Sequence, residues 1–366
     1  MHTVLVLGGY GFFGERISAA LAADASILLL VAGRDARKAS AVAARLQLPP
    51  GQAVVVDAAD PRLAQRLREL TVATVINTAG PFQSQRYIVA AAAIEAGCNY
   101  IDLADGREFV TGITSLDAAA RERGVTVISG ASSVPALSSA VIDRYLSQFV
   151  RLDTIEFGIS SGGRAPGLAT VKGVFSYGGK PFKELRNGAW RTTHGWLDLT
   201  RHQFPGPLGW RLLSSCDIAD LTIFPARYPT VKTVTFHAGF ASKAGHLLVW
   251  ALALLVRLRI LRSLTPFAAP LSRISHWLEL LISDQGGMFV CLVGEGAEGK
   301  LLHVNWNLLA RQNHGPHIPC GAAIALARKL AAGVALPTGA MPCVGLLTVK
   351  EFLAPLRSLD IREVVE

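Results

Sequence analysis

The sequence predicts an α/β protein whose first third is a doubly wound parallel sheet. Six short apolar runs alternate with helical segments within about 130 residues, the pattern of strands joined by crossover helices. The first run leads straight into a glycine-rich turn, GGYGFFG, at residues 8–14. The chain has 366 residues, 51% hydrophobic and 17% charged, enough for more than one core, so two domains are expected.

The elements follow in order. Val4–Leu7 is all apolar, as a strand buried on both faces must be. Glu15–Ala23 reads as a helix, Ile27–Ala32 as a strand, Ala36–Leu46 as a helix and Ala53–Val56 as a third strand. Pro61–Leu70 is helical, Val72–Asn77 a strand, Tyr87–Ala96 a helix and Tyr100–Leu103 a short strand. Ser115–Arg123 is a helix and Val125–Ser129 the sixth strand, after which Pro135 and its serine-rich turn mark a change of character. Further on, Asp153–Ile159, Ala169–Tyr177 and Val231–Gly239 read as strands of a second sheet, with a Gly/Trp/His-rich segment, Asn187–Trp210, among them.

Composition narrows the classes. So apolar a chain is not disordered. Five scattered cysteines, Cys98, Cys216, Cys291, Cys320 and Cys343, form no CxxC pair and suit reduced thiols in the cytoplasm better than a disulfide framework. No signal peptide is read, since the first strand begins at Thr3. The net charge of +9 is dispersed rather than clustered with aromatics, which argues against nucleic acid and fits attraction of an anionic cofactor or a membrane surface.

Gly9, Gly11 and Gly14 give a GxGxxG pattern between a strand and a helix. One glycine makes the tight turn, one admits the pyrophosphate, and one lets helix and strand pack closely, with the helix N-terminus facing the negative charge. The bland alternative is a plain strand-to-helix turn. Where an acidic residue would take the ribose hydroxyl of NAD, the second strand ends in Ala32-Gly33-Arg34-Asp35. Arg34 can stack on adenine and meet a 2′-phosphate with its forked donors, and Lys38 adds charge, so the expected cofactor is NADP. Asp35 comes one place late for the NAD role and suits a helix N-cap. The expected cofactor-binding set is Gly9, Tyr10, Gly11, Phe12, Phe13, Gly14, Arg34, Lys38, Asp57, Asn77, Ala79, Gly80 and Pro81.

Three more stretches sit at strand carboxyl ends, where such sheets bind ligands: Asn77–Phe82, Tyr100–Gly106 and Ser129–Pro135. GGYGFFG, GRD, NTAGPF, YIDLADG and GASSVPALSS, in this order, resemble the saccharopine dehydrogenase (saccharopine reductase-like) family, and HGPHIP (314–319) with GAMPCVGLLTVKEF (339–352) resembles the carboxyl end of its bacterial members. The resemblance implies an NADP-binding Rossmann domain of residues 1–133 and 314–366, with a mixed α/β substrate and dimerisation domain, 134–313, inserted. It implies oxidoreductase chemistry only at class level; the reaction expected here is hydride transfer to or from an imine or a polarised C=C of a small or lipid-like substrate. Many members carry Tyr-x-Asp-x-x-Gly-Glu where this chain has Tyr100, Asp102, Asp105 and Gly106 and lacks the Glu, so that residue's role does not transfer.

The remaining candidates are Asp102, Asp105 and His314 for catalysis and Ser132, Ser133, His194, Trp196 and His202 for substrate, each with a packing alternative. A rival is the extended short-chain dehydrogenase type, which needs Tyr and Lys four apart on a helix. The one match, Tyr228 and Lys232, contains Pro229 and reads as a strand entry, where the two would lie about 13 Å apart. A second alternative is a non-catalytic NADP-binding or lipid-associated protein. His314, His317 and Cys320 are metal-ligand types, but Gly315, Pro316 and Pro319 break any regular spacing and no fourth ligand is near, so no metal is expected. Finally, Leu247–Leu264 holds ten uninterrupted apolar residues, 247–256, before Arg257, Arg259 and Arg262. That is too short to span a bilayer. It reads as a buried interdomain or homodimer helix, as the lining of an apolar pocket, or as a face on an anionic membrane. The expectation is that 247–256 is mostly buried in the isolated protein or in its dimer interface, with Ser275–Ile282 extending the same apolar character.

Overall fold

A computed structural model describes residues 1–83, 85–162, 167–277 and 283–366. The chain divides into two compact units, Met1–Leu137 with His317–Pro355, and Ser138–Pro316 with Leu356–Glu366.

The first unit holds strands β1 (His2–Leu7), β2 (Ile27–Gly33), β3 (Ala53–Val55), β4 (Thr74–Asn77), β5 (Asn99–Asp102), β6 (Thr126–Ser129) and β15 (Gly339–Pro342). All pair in parallel, in the order β15-β6-β5-β4-β1-β2-β3. The order reverses between β1 and β4, which puts the topological switch point at the carboxyl ends of those two strands. Helices α1 (Gly14–Ala22), α2 (Ala36–Arg45), α3 (Leu63–Glu69), α4 (Ile88–Ala96), α5 (Arg107–Gly112) and α6 (Asp117–Arg123) join the strands. Val4, Leu5, Val6, Ile76, Ile101 and Val127 are fully buried, as central parallel strands require. The short helix α5 was not expected; Phe109 and Val110 anchor it in the core. Helices α12 (Gly321–Ala331) and α13 (Val349–Leu353) complete the unit. Residues Gly321–Ala327 of α12 are buried without a break, and Arg328 donates to the Ala20 carbonyl of α1 at 2.9 Å.

The second unit holds α7 (Ser138–Leu146), α8 (Leu168–Ser176), α9 (Asp220–Arg227), α10 (Lys243–Arg257) and α11 (Ala268–Trp277) around a nine-stranded sheet. Its strands are β7 (Arg151–Ser160), β8 (Pro181–Arg186), β9 (Ala189–His194), β10 (Thr200–Phe204), β11 (Gly209–Ser215), β12 (Thr233–Gly239), β13 (Gly286–Glu295), β14 (Leu301–Ala310) and β16 (Ile361–Val365). β7 is parallel to β12 and antiparallel to β13, which gives a mixed sheet.

Two expectations are corrected and a third is narrowed. Ala169–Tyr177, read as a strand, is helix α8; Leu168, Val171 and Phe175 recur at three- and four-residue spacing, and that period outweighs the strand preference of the β-branched residues. The tail does not stay with the first unit to residue 366: β16 pairs antiparallel with β14, so the chain returns to the second sheet after Pro355. Within the single chain residues 247–256 are not mostly buried, which leaves a dimer interface as the expected place of burial. Only Val249, Ala253 and Val256 among them are, whereas Leu247 and Leu248 are exposed. Residues 278–282, part of the apolar extension, lie outside the described residues. Among the described residues no helix is long and apolar enough to cross a membrane.

Candidate functional site

The turn after β1 is built from backbone. Gly8 has φ +80°, which a side chain disfavours, and the Gly8 and Gly9 amides both donate to the Ala32 carbonyl of β2. A Cβ on Gly9 would lie 2.9 Å from the Val6 carbonyl oxygen, and one on Gly14 only 2.1 Å from that of Gly8. Packing alone therefore explains both glycines. Gly11 differs: a Cβ there would meet one atom, the Gly8 oxygen at 3.0 Å, and otherwise open space. Packing does not demand that bareness, whereas a phosphate approaching the α1 N-terminus does. The turn fits a dinucleotide pyrophosphate.

Tyr10 spans from this turn to the end of β2, where its ring lies against Gly33 and its hydroxyl accepts from the Asp35 amide at 3.1 Å. Phe12 and Phe13 pack edge to face, and the Arg16 guanidinium sits 4.3 Å above the Phe12 ring. At the end of β2, Asp35 caps α2: its Oδ1 accepts from the Lys38 amide at 3.1 Å and its Oδ2 lies 3.6 Å from Lys38 Nζ. The Lys38 amide bond holds this carboxyl below the usual carboxylate range. Arg34, Arg37 and Lys38 are all exposed beside it. Arg37 was missed from sequence, although its place one residue before Lys38 on the first turn of α2 is legible there.

Across the switch point, Thr78 donates from Oγ1 to the Leu7 and Gly8 carbonyls, at 2.9 and 3.1 Å. It ties the β4 loop to the glycine turn, a role that sequence reading missed. Asn77 is buried, accepts from the Ala79 amide and donates to the Tyr100 hydroxyl. Asn77 thus shapes the loop leading through Ala79 to Gly80 and Pro81. Asp57, after β3, is exposed and accepts from the Ala59 amide.

Asp102, at the end of β5, is fully buried. Its Oδ1 accepts from the Ala104 amide, the Gly130 amide and the Ser129 hydroxyl, each at 2.9 Å, which joins the ends of β5 and β6. Burial pushes the carboxyl up to about 6 against these hydrogen bonds. Its side chain is closed off from solvent and ties the ends of β5 and β6 together. Asp105 is half-buried, accepts from Gln83 Nε2 at 2.8 Å and is raised by burial. Ser132 is half-buried and Ser133 is buried in the turn beyond β6.

In the second unit the expected substrate residues separate. Trp196 is buried, stacks on Phe240 at 4.9 Å and donates to the Val174 carbonyl at 3.2 Å, the surroundings of a core residue. His202 stacks on Phe289 at 3.7 Å, and burial lowers its pKa. His194 borders an open cleft, shared with Lys180, Arg257, Arg259 and Arg262. His314 Nδ1 accepts from the Asp360 amide at 2.9 Å. Tyr228 follows α9 and donates to Asp143 at 2.8 Å, while Lys232 Nζ sits 3.1 Å from Asp153; the pair forms no helical Tyr–Lys dyad. The Cys320 thiol is buried, close to the Phe13 carbonyl in the first unit, and burial pushes it up to about 12. Among the described residues no three His, Cys, Asp or Glu side chains are grouped to hold a metal.

Comparison with known proteins follows this geometry. The family model for the saccharopine dehydrogenase NADP binding domain matches residues 4–128. A comparison with curated protein sequences gave no match. Among solved structures, the chain is similar to saccharopine dehydrogenase (L-Glu forming) from Saccharomyces cerevisiae, with 14% identity, TM-score 0.69 and all of both chains covered. It is also similar to homospermidine synthase from Legionella pneumophila, with 11% identity, TM-score 0.60 and 100% of this chain and 91% of that one covered. For amine dehydrogenase from Mycobacterium smegmatis the values are 12%, 0.51, 96% and 95%. Residues 4–128 thus match the saccharopine dehydrogenase NADP binding domain, and the chain as a whole has a saccharopine dehydrogenase-like fold.

Proposed function

We propose that the protein is an NADP-dependent oxidoreductase acting on an imine or a polarised C=C bond. The observation that carries this reading is Gly11, bare at the N-terminus of α1 and at the switch point, with Arg34, Arg37 and Lys38 exposed at the end of β2. Gly11 gives the pyrophosphate access to the α1 amides, on a turn whose close packing Gly9 and Gly14 allow. The forked donors of Arg34 suit a 2′-phosphate, with Lys38 and Arg37 adding charge. Asp35 caps α2 through Oδ1, which supports a structural role for it over an NAD-type ribose contact. Nicotinamide, when bound, supplies the hydride chemistry. The chain's own residues orient it: Asn77 and Thr78 fix the β4 loop, and Asp102 fixes the β5 and β6 ends.

The test is NADPH consumption with a panel of imines, formed from 2-oxo acids and amines, and a panel of enones. The reading predicts loss of nicotinamide absorbance matched mole for mole by reduced product, and loss of both in Gly11→Ala. Reduced product that forms without NADPH consumption, or undiminished in Gly11→Ala, would refute it.

A further inference from the structure

Helix α10 has an inside and an outside, and both are apolar. At about 100° per residue, His246, Val249, Ala253 and Val256 fall on one side of the helix, and these are its buried residues. The opposite side carries Leu247, Leu248, Ala251, Leu254, Leu255 and Leu258. A helix lying on a soluble protein ordinarily presents charged and polar residues there. Leu247 and Leu248 are 43% and 47% exposed, and beyond the helix end Leu258 and Ile260 reach 59% and 67%. Leu247, Leu248, Ala251 and Leu258 are exposed and Leu254 and Leu255 half-buried, so the exposed apolar residues succeed one another along one helix face, as on an interaction surface.

Charge selects the occupant. Residues 221–278 contain no Asp or Glu. Arg257, Arg259 and Arg262 alternate with the apolar residues Leu258, Ile260 and Leu261 at the end of α10. With Lys180 and His194 they line a cleft of about 420 Å³. Several exposed arginines elsewhere have acidic partners, as Arg45 has Glu15 at 2.7 Å and Arg121 has Asp117 at 2.8 Å. Among the described residues no ion pair engages Lys180, Arg257, Arg259 or Arg262. Arg257 alone would be an ordinary complement to the helix dipole, but Arg259 and Arg262 lie past the helix end and Lys180 precedes β8. A second copy of the chain is a poor occupant, because self-pairing of this face would bring two sets of unpaired cations together. An apolar stripe edged by unpaired cations matches the boundary between acyl chains and anionic headgroups.

We propose that the outer face of α10 and the arginine cleft at its end form a docking site for an anionic phospholipid bilayer. The leucines enter the acyl boundary, and the cleft receives a phosphate-bearing headgroup. This site is separate from the glycine turn and does not depend on the catalytic reading.

Co-sedimentation with vesicles tests it, comparing phosphatidylcholine alone with phosphatidylcholine containing phosphatidylglycerol. The expected result is at least tenfold more bound protein on the anionic vesicles, reduced by raised salt. Arg257→Glu/Arg259→Glu/Arg262→Glu should abolish binding, and so should Leu247→Ser/Leu248→Ser/Leu258→Ser. All six sites are on the surface, and thermal unfolding confirms that each variant is folded. Absence of wild-type binding to anionic vesicles overturns the proposal, as does binding that survives either triple substitution. A dimer by light scattering that the leucine variant converts to monomer also overturns it, by assigning the face to a second copy.

Discussion

Replacing Gly14 and Gly11 by alanine, one at a time, separates the packing role of the turn from its ligand role. A methyl on Gly14 would sit 2.1 Å from the Gly8 carbonyl oxygen and 2.8 Å from Thr78 Oγ1. Neither atom can swing aside. The Gly8 oxygen accepts from the Gly11 amide at 2.8 Å and from Thr78 at 3.1 Å, and Thr78 is held again by the Leu7 carbonyl. The first turn of α1 must retreat instead. Overpacking costs about 1–3 kcal/mol, and an opposing backbone atom puts this site at the upper end. Alanine returns up to about 1 kcal/mol of helix propensity, which leaves a net loss of about 2 kcal/mol. For a unit of this size each kcal/mol lowers Tm by about 2–4 °C, so Gly14→Ala should melt about 4–8 °C below wild type. Gly11→Ala meets only one atom, at 3.0 Å, so its Tm should stay within about 3 °C of wild type. Its methyl occupies the ground that the pyrophosphate needs, and NADPH affinity should fall at least about tenfold, or 1.4 kcal/mol. Calorimetric melts and NADPH titration read the two effects separately. Equal melting of the two variants, or wild-type NADPH affinity in Gly11→Ala, would refute the division of roles.

Three further outcomes are expected. Asp102 has a folded-state pKa of about 6 against an ordinary 3.8. The folded state therefore holds its proton more tightly, and the stability from this group is full below the ordinary value and lost as pH rises through about 6, by about 3 kcal/mol. Asp102→Asn keeps an acceptor for Ala104, Ser129 and Gly130, so urea midpoints measured from pH 4 to 7 should lose this downward slope; an unchanged slope would count against it. Trp196→Ala should destabilise the second unit by about 3–5 kcal/mol, whereas His194→Ala should stay within about 0.5 kcal/mol, both by denaturant unfolding; similar midpoints would return Trp196 to the surface. Arg34→Ala should leave Tm unchanged and erase most of the preference for NADPH over NADH, as read by paired titrations.

The parallel sheet was legible because its signals are local. Runs such as Val4–Leu7 and Val72–Asn77 are short, apolar and punctuated by turn residues, so one period and one boundary suffice. The glycine turn was legible for the same reason, but the division of labour among its glycines was not. That Gly14 is fixed by the Gly8 carbonyl while Gly11 faces open space depends on the approach of β4 and Thr78, seventy residues away. The second unit was less legible because its pairings are long-range: β7 meets β12 and β13, and β16 closes on β14. Leu168–Ser176 carried β-branched residues on a helical period, and the period prevailed. Trp196 and His194 lie two residues apart and looked alike as candidates, yet a backbone with φ +61° at Trp196 turns that ring into the core and leaves His194 on the cleft. The arginine cleft needed the fold to bring Lys180 beside Arg257, a separation that no spacing rule covers.

The central claim is tested most directly by titrating the wild-type protein with NADPH and NADH in parallel, following transfer of tryptophan fluorescence to the bound nicotinamide. The account predicts saturable binding of one NADPH per chain, with a dissociation constant at least about tenfold below that for NADH, a difference of about 1.4 kcal/mol. Equal dissociation constants, or no saturable binding of either nucleotide, would contradict it.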